Sequence, residues 1–294
     1  MLKRKLGKFI SFFFPGLIWE KKAISQNDNQ ESEALLRYAE ELKIDKSFVE
    51  FGFGPFQYNS IGLTKQHYKG LLIDGTKLSC DQGNKIFKSL KLNVTAICHW
   101  ITLENLKPVI DFVKKNDGKL GVLNIDIDGN DYWVLKKLLL HFKPEIICVE
   151  YNASFLMKSI TIPYAANFDR HKADNSGLYH GASITAFYNL LNKEYALVKN
   201  IGGVNLIFIR NDIFLDKYKT LNPEEAYSEN SLRNKWSNTT SKEQWNRIKD
   251  LKFIYFNKYM LYILGIIYFS YVYYNYIKFD IKYTKKDILI VSDS

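Results

Sequence analysis

The sequence predicts an α/β fold: a doubly wound, mostly parallel, Rossmann-like sheet of seven strands that ends in an antiparallel hairpin. Three observations carry that expectation. Short apolar runs rich in β-branched residues alternate with segments of helical period from about Ser47 to Arg210. The runs are continuously apolar, as in strands buried on both faces of a sheet covered by helices. The last two runs are separated only by Asn200, Ile201, Gly202 and Gly203, a hairpin signal.

Taken in order, the strands fall at residues 48–51, 70–74, 94–98, 121–127, 146–151, 195–199 and 204–209. Helical spacing of apolar residues, every third or fourth position, occurs at 103–115 and 132–142. Residues 1–45 form a basic, aromatic extension with a lead-in helix, 46–212 the main domain, and 213–294 a basic, Tyr-rich extension. Within the main domain, residues 153–180 break the alternation with Pro163, Gly177 and several Asn and Asp. Long irregular insertions beside strand ends carry function, so this one reads as a substrate lid.

Composition narrows the class. The chain has 294 residues, 47% hydrophobic and 24% charged, which excludes wholesale disorder and low-complexity structure. Three cysteines, Cys80, Cys98 and Cys148, are too few for a disulfide framework and point to a reducing, cytoplasmic setting. The net charge of +10 sits on the flanks: residues 1–22 and 231–258 each carry +5, whereas residues 23–230 carry −1. A nucleic-acid-binding domain would carry that excess on its folded face, so nucleic acid is not an expected partner. Both basic flanks adjoin apolar aromatic stretches, at 9–19 and at 259–277, the latter 19 uncharged residues of which seven are Tyr. Tyr favours the headgroup level, so the two stretches either cover the core or dock at the inner face of an anionic membrane.

Three motifs carry chemistry. Phe51-Gly52-Phe53-Gly54 follows the first strand, and Asp74 ends the second, 22 residues after Gly52. In a doubly wound sheet that spacing suits a nucleoside cofactor, with the small-residue loop approached closely by the ligand and the acid on its ribose. Asn124-Ile125-Asp126-Ile127-Asp128-Gly129-Asn130-Asp131 places three acids at the end of the fourth strand. Strand geometry would put Asp126 and Asp128 on one face and leave Asp131 to cap the next helix. Glu150 and Asn152 end the neighbouring strand, and with Asp128 they form an oxygen-only set suited to Mg²⁺ or another divalent cation.

These motifs, together with residues 179–183 (Tyr-His-Gly-Ala-Ser) and 203–208 (Gly-Val-Asn-Leu-Ile-Phe), resemble the class I S-adenosylmethionine-dependent methyltransferases, specifically the FkbM-like group, over residues 46 to 212. The resemblance implies that Glu50, Gly52 and Gly54 hold the methionine part of S-adenosyl-L-methionine, that Asp74 binds its ribose, and that Asp126 and Asp128 lie near the methyl-transfer centre. The family's third loop glycine is absent, with Pro55 and Phe56 in its place. By resemblance the acceptor is a glycan, a glycolipid or a related small molecule methylated on oxygen. Base candidates for such an acceptor are Asp128, His180 and His171. A metal-dependent glycosyltransferase using Asp126-Ile127-Asp128 as a DxD element is the rival enzyme reading, and a non-catalytic membrane-attached module of the same fold is the third.

Overall fold

The computed structural model describes residues 15–256. The chain divides into two units, Met1–Ile254 and Tyr255–Ser294, and the fold and site below belong to the first. The stretch at 259–277, and residues 9–14 of the N-terminal one, lie outside the described residues. Among the described residues no helix is long and apolar enough to cross a membrane.

Seven strands form one sheet: β1 (Ser47–Phe51), β2 (Lys69–Asp74), β3 (Val94–Cys98), β4 (Val122–Ile125), β5 (Ile146–Glu150), β6 (Tyr195–Ile201) and β7 (Asn205–Arg210). Their spatial order is β3-β2-β1-β4-β5-β7-β6. The first five are parallel, and β7 inserts antiparallel between β5 and β6. The expected architecture is therefore the observed one. β1 and β5 are buried along their whole length because both faces carry helices, which explains runs such as Phe48-Val49 and Ile146-Ile147 that show no polar alternation. The hairpin between β6 and β7 turns on Gly202 and Gly203, both at positive φ, and a side chain at Gly203 would meet the Glu229 carbonyl oxygen at 2.2 Å.

Helices α1 (Pro15–Lys22), α2 (Gln30–Leu42) and α3 (Ile61–Lys65) precede β2; α4 (Lys77–Ser89) joins β2 to β3; α5 (Lys107–Lys114) and α6 (Asp131–Leu138) flank β4. The single turn α7 (Arg170–Ala173) lies in the 153–180 insertion, α8 (Ile184–Leu191) leads into β6, and α9 (Pro223–Ala226), α10 (Ser231–Ser237) and α11 (Ser241–Ile248) follow β7. Helix α4 buries Cys80, Gly83, Ile86 and Phe87, a stripe at helical spacing that fixes which face meets the sheet. Helices α9 and α11 begin with capping boxes, Asn222 with Glu225 and Thr240 with Glu243, which satisfy the orphan N–H groups of each first turn.

The flanks pack on the main domain. Trp19 of α1 is buried and meets Phe87 edge-on with ring centroids 6.3 Å apart. At the other end, Trp245, Ile248 and Phe253 join Phe155, Ile160, Ile162 and Leu178 in a separate apolar cluster under the insertion. Covering the core is what Trp19, Trp245 and Phe253 do in these flanks.

Candidate functional site

The carboxyl ends of the parallel strands open on one edge of the sheet, where ligands bind in doubly wound folds. Past β1 the chain turns at Gly52, whose φ is +76° and whose missing Cβ would lie 1.7 Å from the Asp126 carbonyl oxygen. Backbone bonds hold the loops together there: Gly52 N donates to Ile73 O at 2.9 Å and Asp126 N donates to Phe51 O at 3.2 Å. Glycine is required because two backbones touch. Above this contact lies a cavity of about 340 Å³ whose walls include Gly52, Asp74, Trp100, Asp126, Asp128 and Phe168. Asp74, which lines the cavity, accepts from Thr76 N at 2.7 Å through Oδ1. Trp100 donates its indole N–H to Ala166 O at 2.9 Å, tying the β3 loop to the insertion across the cavity mouth.

The acids after β4 are arranged by one residue that sequence spacing assigns to a cap. Asp131 is fully buried, and its carboxylate accepts from Ile127 N and from Gly129 N, each at 2.8 Å. It thereby folds the loop back, so β4 stops at Ile125, two residues short of the expected end, and Asp128 takes a left-handed φ of 54°. The shared strand face expected for Asp126 and Asp128 does not exist. Asp126 instead accepts from Gln26 Nε2 at 2.7 Å, and Asp128, exposed, is paired with Arg170 of α7. Burial, with Asp128 and Asp131 nearby, pushes the Asp126 carboxyl up to about 8. Burial lifts Asp131 to about 6 against the pull of its backbone donors. Crowded carboxyls of this kind favour a cationic neighbour.

Two residues expected at a cofactor do not line the cavity. Glu50 is buried beneath the loop, where it accepts from Asn59 N at 2.6 Å and Ser60 N at 2.7 Å, and burial raises its pKa. Gly54 closes a small backbone turn with Gln57. Both shape the loop from behind. Asn152 likewise leaves the expected cation set: its amide donates to Leu178 O at 2.7 Å and His180 O at 2.9 Å, and its oxygen accepts from Ser154 N at 3.0 Å and from Arg233 Nη1 at 3.0 Å.

His180 stands in its place. One potential ligand atom each from Asp128, Glu150 and His180 lies within 4.8 Å of the others. The His180 ring is fully buried, with Nδ1 3.8 Å from Glu150 Oε2 and Nε2 facing Arg233 Nη2 at 3.1 Å. Arginine only donates, so Nε2 accepts and the ring proton sits on Nδ1, toward Glu150. Burial first, and the Arg233 charge next, hold the imidazole well below its usual pKa; burial and the surrounding acids hold Glu150 well above. His171, exposed on α7, lines the 340 Å³ cavity but not this cluster.

Gln26, Arg170 and Arg233 are the site residues that sequence reasoning passed over. Arg170 adjoins His171 in the insertion, and a search of that lid for a countercharge to the β4 acids would have reached it. Arg233 lies in a basic stretch that reads as a solvated flank, and Gln26 carries no signal.

No family model matches the chain, nor does any curated protein sequence. Among solved structures it is similar to an S-adenosylmethionine-dependent methyltransferase from Clostridium acetobutylicum, 10% identical, with a TM-score of 0.41 over 71% of this chain and 99% of that one. It is similar also to an O-methyltransferase from Bacillus cereus in complex with SAH, 11% identical, TM-score 0.39, over 71% of this chain and 100% of that one. A methyltransferase from Geobacter sulfurreducens is 11% identical, with a TM-score of 0.41 over 70% of this chain and 96% of that one.

Proposed function

We propose that the protein is an S-adenosylmethionine-dependent methyltransferase of the FkbM-like kind that methylates an oxygen of a glycan, glycolipid or related small molecule. One observation carries the reading: a cavity at the sheet's carboxyl edge in which the Gly52 turn, the Asp74 carboxylate and the acids of the β4 loop face one space. A sulfonium cofactor brings a ribose for Asp74 and a positive charge for Asp126 and Asp128. Methyl transfer is an in-line displacement, so the protein mainly aligns donor and acceptor and excludes water. The Trp100 bridge to the insertion serves that exclusion.

An acceptor hydroxyl must lose its proton. Asp128 lines the cofactor cavity and stands within 4.8 Å of Glu150 and His180, which makes it our candidate for taking that proton. Arg170 already pairs with Asp128, and His180 presents N–H rather than a lone pair to Glu150. This donor set does not suit a resident divalent cation. The DxD alternative is disfavoured because the Asp126 carboxylate is already bound by Gln26 and shares no strand face with Asp128. Docking of the aromatic, basic ends on an anionic cytoplasmic membrane is part of the same reading, and flotation with anionic and neutral liposomes checks it.

Calorimetric titration of the full chain with S-adenosylhomocysteine tests the cofactor, and labelled methyl transfer to a cell-envelope extract tests the reaction. Binding with label incorporation is expected. Absence of cofactor binding overturns the reading.

A further inference from the structure

A second cavity, of about 540 Å³, adjoins the first; its walls include Gln57, Glu150, Arg170, Leu232, Arg233 and Trp236. Arg170, paired with Asp128, lines both spaces. Two features of its walls point to a ligand.

The first is the Arg233 guanidinium. It is half-buried, and its partners are Asn152 Oδ1 at 3.0 Å, Ser154 Oγ at 3.4 Å and His180 Nε2 at 3.1 Å, all neutral acceptors. Among the described residues no carboxylate lies within ion-pair distance of it. Guanidinium groups taken from water without a carboxylate are costly unless an anion completes them, and their planar fork is built to take carboxylate or phosphate. Burial presses its pKa downward against the opposing pull of Glu150, which lines the same cavity without reaching ion-pair distance. The second feature is Trp236, 82% exposed at the cavity rim on the same helix, with Leu232 one turn earlier and 45% exposed. A large flat apolar face beside wet polar groups suits a ligand that is apolar on one face and polar at its edge.

Resting on the methyltransferase reading, we propose that this second cavity is the acceptor site and that the acceptor is a hydroxylated ring bearing an anionic group, a sugar carboxylate or sugar phosphate. Arg233 takes the anion, Trp236 takes the ring face, and Glu150 takes a hydroxyl on the wall that faces the methyl donor.

Ligand-observed NMR titrations of the full chain, saturated with S-adenosylhomocysteine, test this with four probes: glucuronate, glucose 1-phosphate, glucose and inorganic phosphate. At least one charged sugar is expected to bind about tenfold more tightly than glucose, and the tighter of the two identifies the anion. Arg233→Gln is expected to remove that preference. Trp236→Ala is expected to weaken the sugars while leaving inorganic phosphate unchanged; it alters an exposed side chain and so keeps the fold. If Arg233→Gln does not fold, Arg233→Lys serves, with the charge kept, the fork lost and the charged-sugar affinity reduced severalfold. Equal binding of glucose and both charged sugars, or a preference untouched at Arg233 and Trp236, overturns the proposal. If the cofactor analogue binds and no charged sugar does, the acceptor proposal falls alone. If charged sugars bind through Arg233 and the analogue does not bind, the methyltransferase reading falls alone.

Discussion

The two cavities that share Arg170 are built in opposite ways. The one over β1, β2 and β4 is walled by backbone in tight contact and by carboxylates, with Gly52 against Asp126 and with Asp74 and Asp128 alongside. The one toward α10 is walled by side chains from distant stretches of chain, with two guanidinium groups and an exposed indole. Acidic walls suit a cationic donor and basic walls an anionic acceptor. Under the proposed assignment, the difference in charge would keep each ligand out of the other's place, because like-charge juxtaposition costs several kcal/mol.

The comparison is broken most completely at Gly52. Gly52→Ala combines a left-handed φ with a backbone collision at 1.7 Å, and the expected loss in a denaturant melt is at least about 3 kcal/mol. A loss under about 1 kcal/mol would mean that the two loops are not in contact. Asp128→Asn should act on chemistry instead. Asparagine tolerates the left-handed conformation at this exposed position, so the melting temperature should stay within a few degrees while turnover falls about a hundredfold. A collapse in stability with intact turnover per folded molecule would make Asp128 structural.

Asp74→Ala sharpens the cofactor side alone. Cofactor affinity should fall about tenfold or more, the scale of hydrogen bonds to a charged group, with no change at the second cavity. Unchanged affinity would remove Asp74 from the ribose. A smaller effect follows from Asp126, whose pKa rises from 3.8 to about 8 on folding. The folded chain holds that proton where the unfolded chain has lost it, so its contribution is full below about pH 4 and is lost as pH rises through about 8. Asp126→Asn should therefore match the wild type at pH 4 and melt a few degrees higher at pH 8, by calorimetry in the absence of cofactor. The reverse ordering would show that Asp126 is ionised in the fold. Least of all should change on dialysis against a chelator, with turnover kept within about twofold if Arg170 supplies the countercharge to Asp128. A large loss restored by a divalent cation would return the metal to Asp128, Glu150 and His180.

What the sequence made legible divides along the same line. β3 runs over Val94–Cys98 as expected and β5 differs by one residue, because buried strands announce themselves as apolar runs. The glycine turn and Asp74 were legible for the same reason, being fixed by local chain geometry. β4 was overextended because Ile125-Asp126-Ile127-Asp128 alternates as a strand does, whereas the Asp131 carboxylate bends the backbone by bonds that no spacing rule displays. Asn152 has the chemistry of a ligand, but its four hydrogen bonds reach residues up to position 233. Arg233 itself was hidden in a basic stretch, since only the tertiary fold distinguishes a guanidinium turned inward from its solvated neighbours. The backbone-built half was readable and the half assembled from remote side chains was not.

The insertion of β7 between β5 and β6 has a consequence for the birth of the chain. As synthesis proceeds, β1 to β5 have emerged and can pair with one another, yet β5 keeps one open edge. β6 emerges next and finds no place beside it; only Asn205–Arg210 fits that edge. Until then an apolar strand, Ile146-Ile147-Cys148-Val149, presents unpaired backbone to the cell, a template for association with other chains. A chain that lacks β7 thus carries an open apolar strand edge of the kind that invites association.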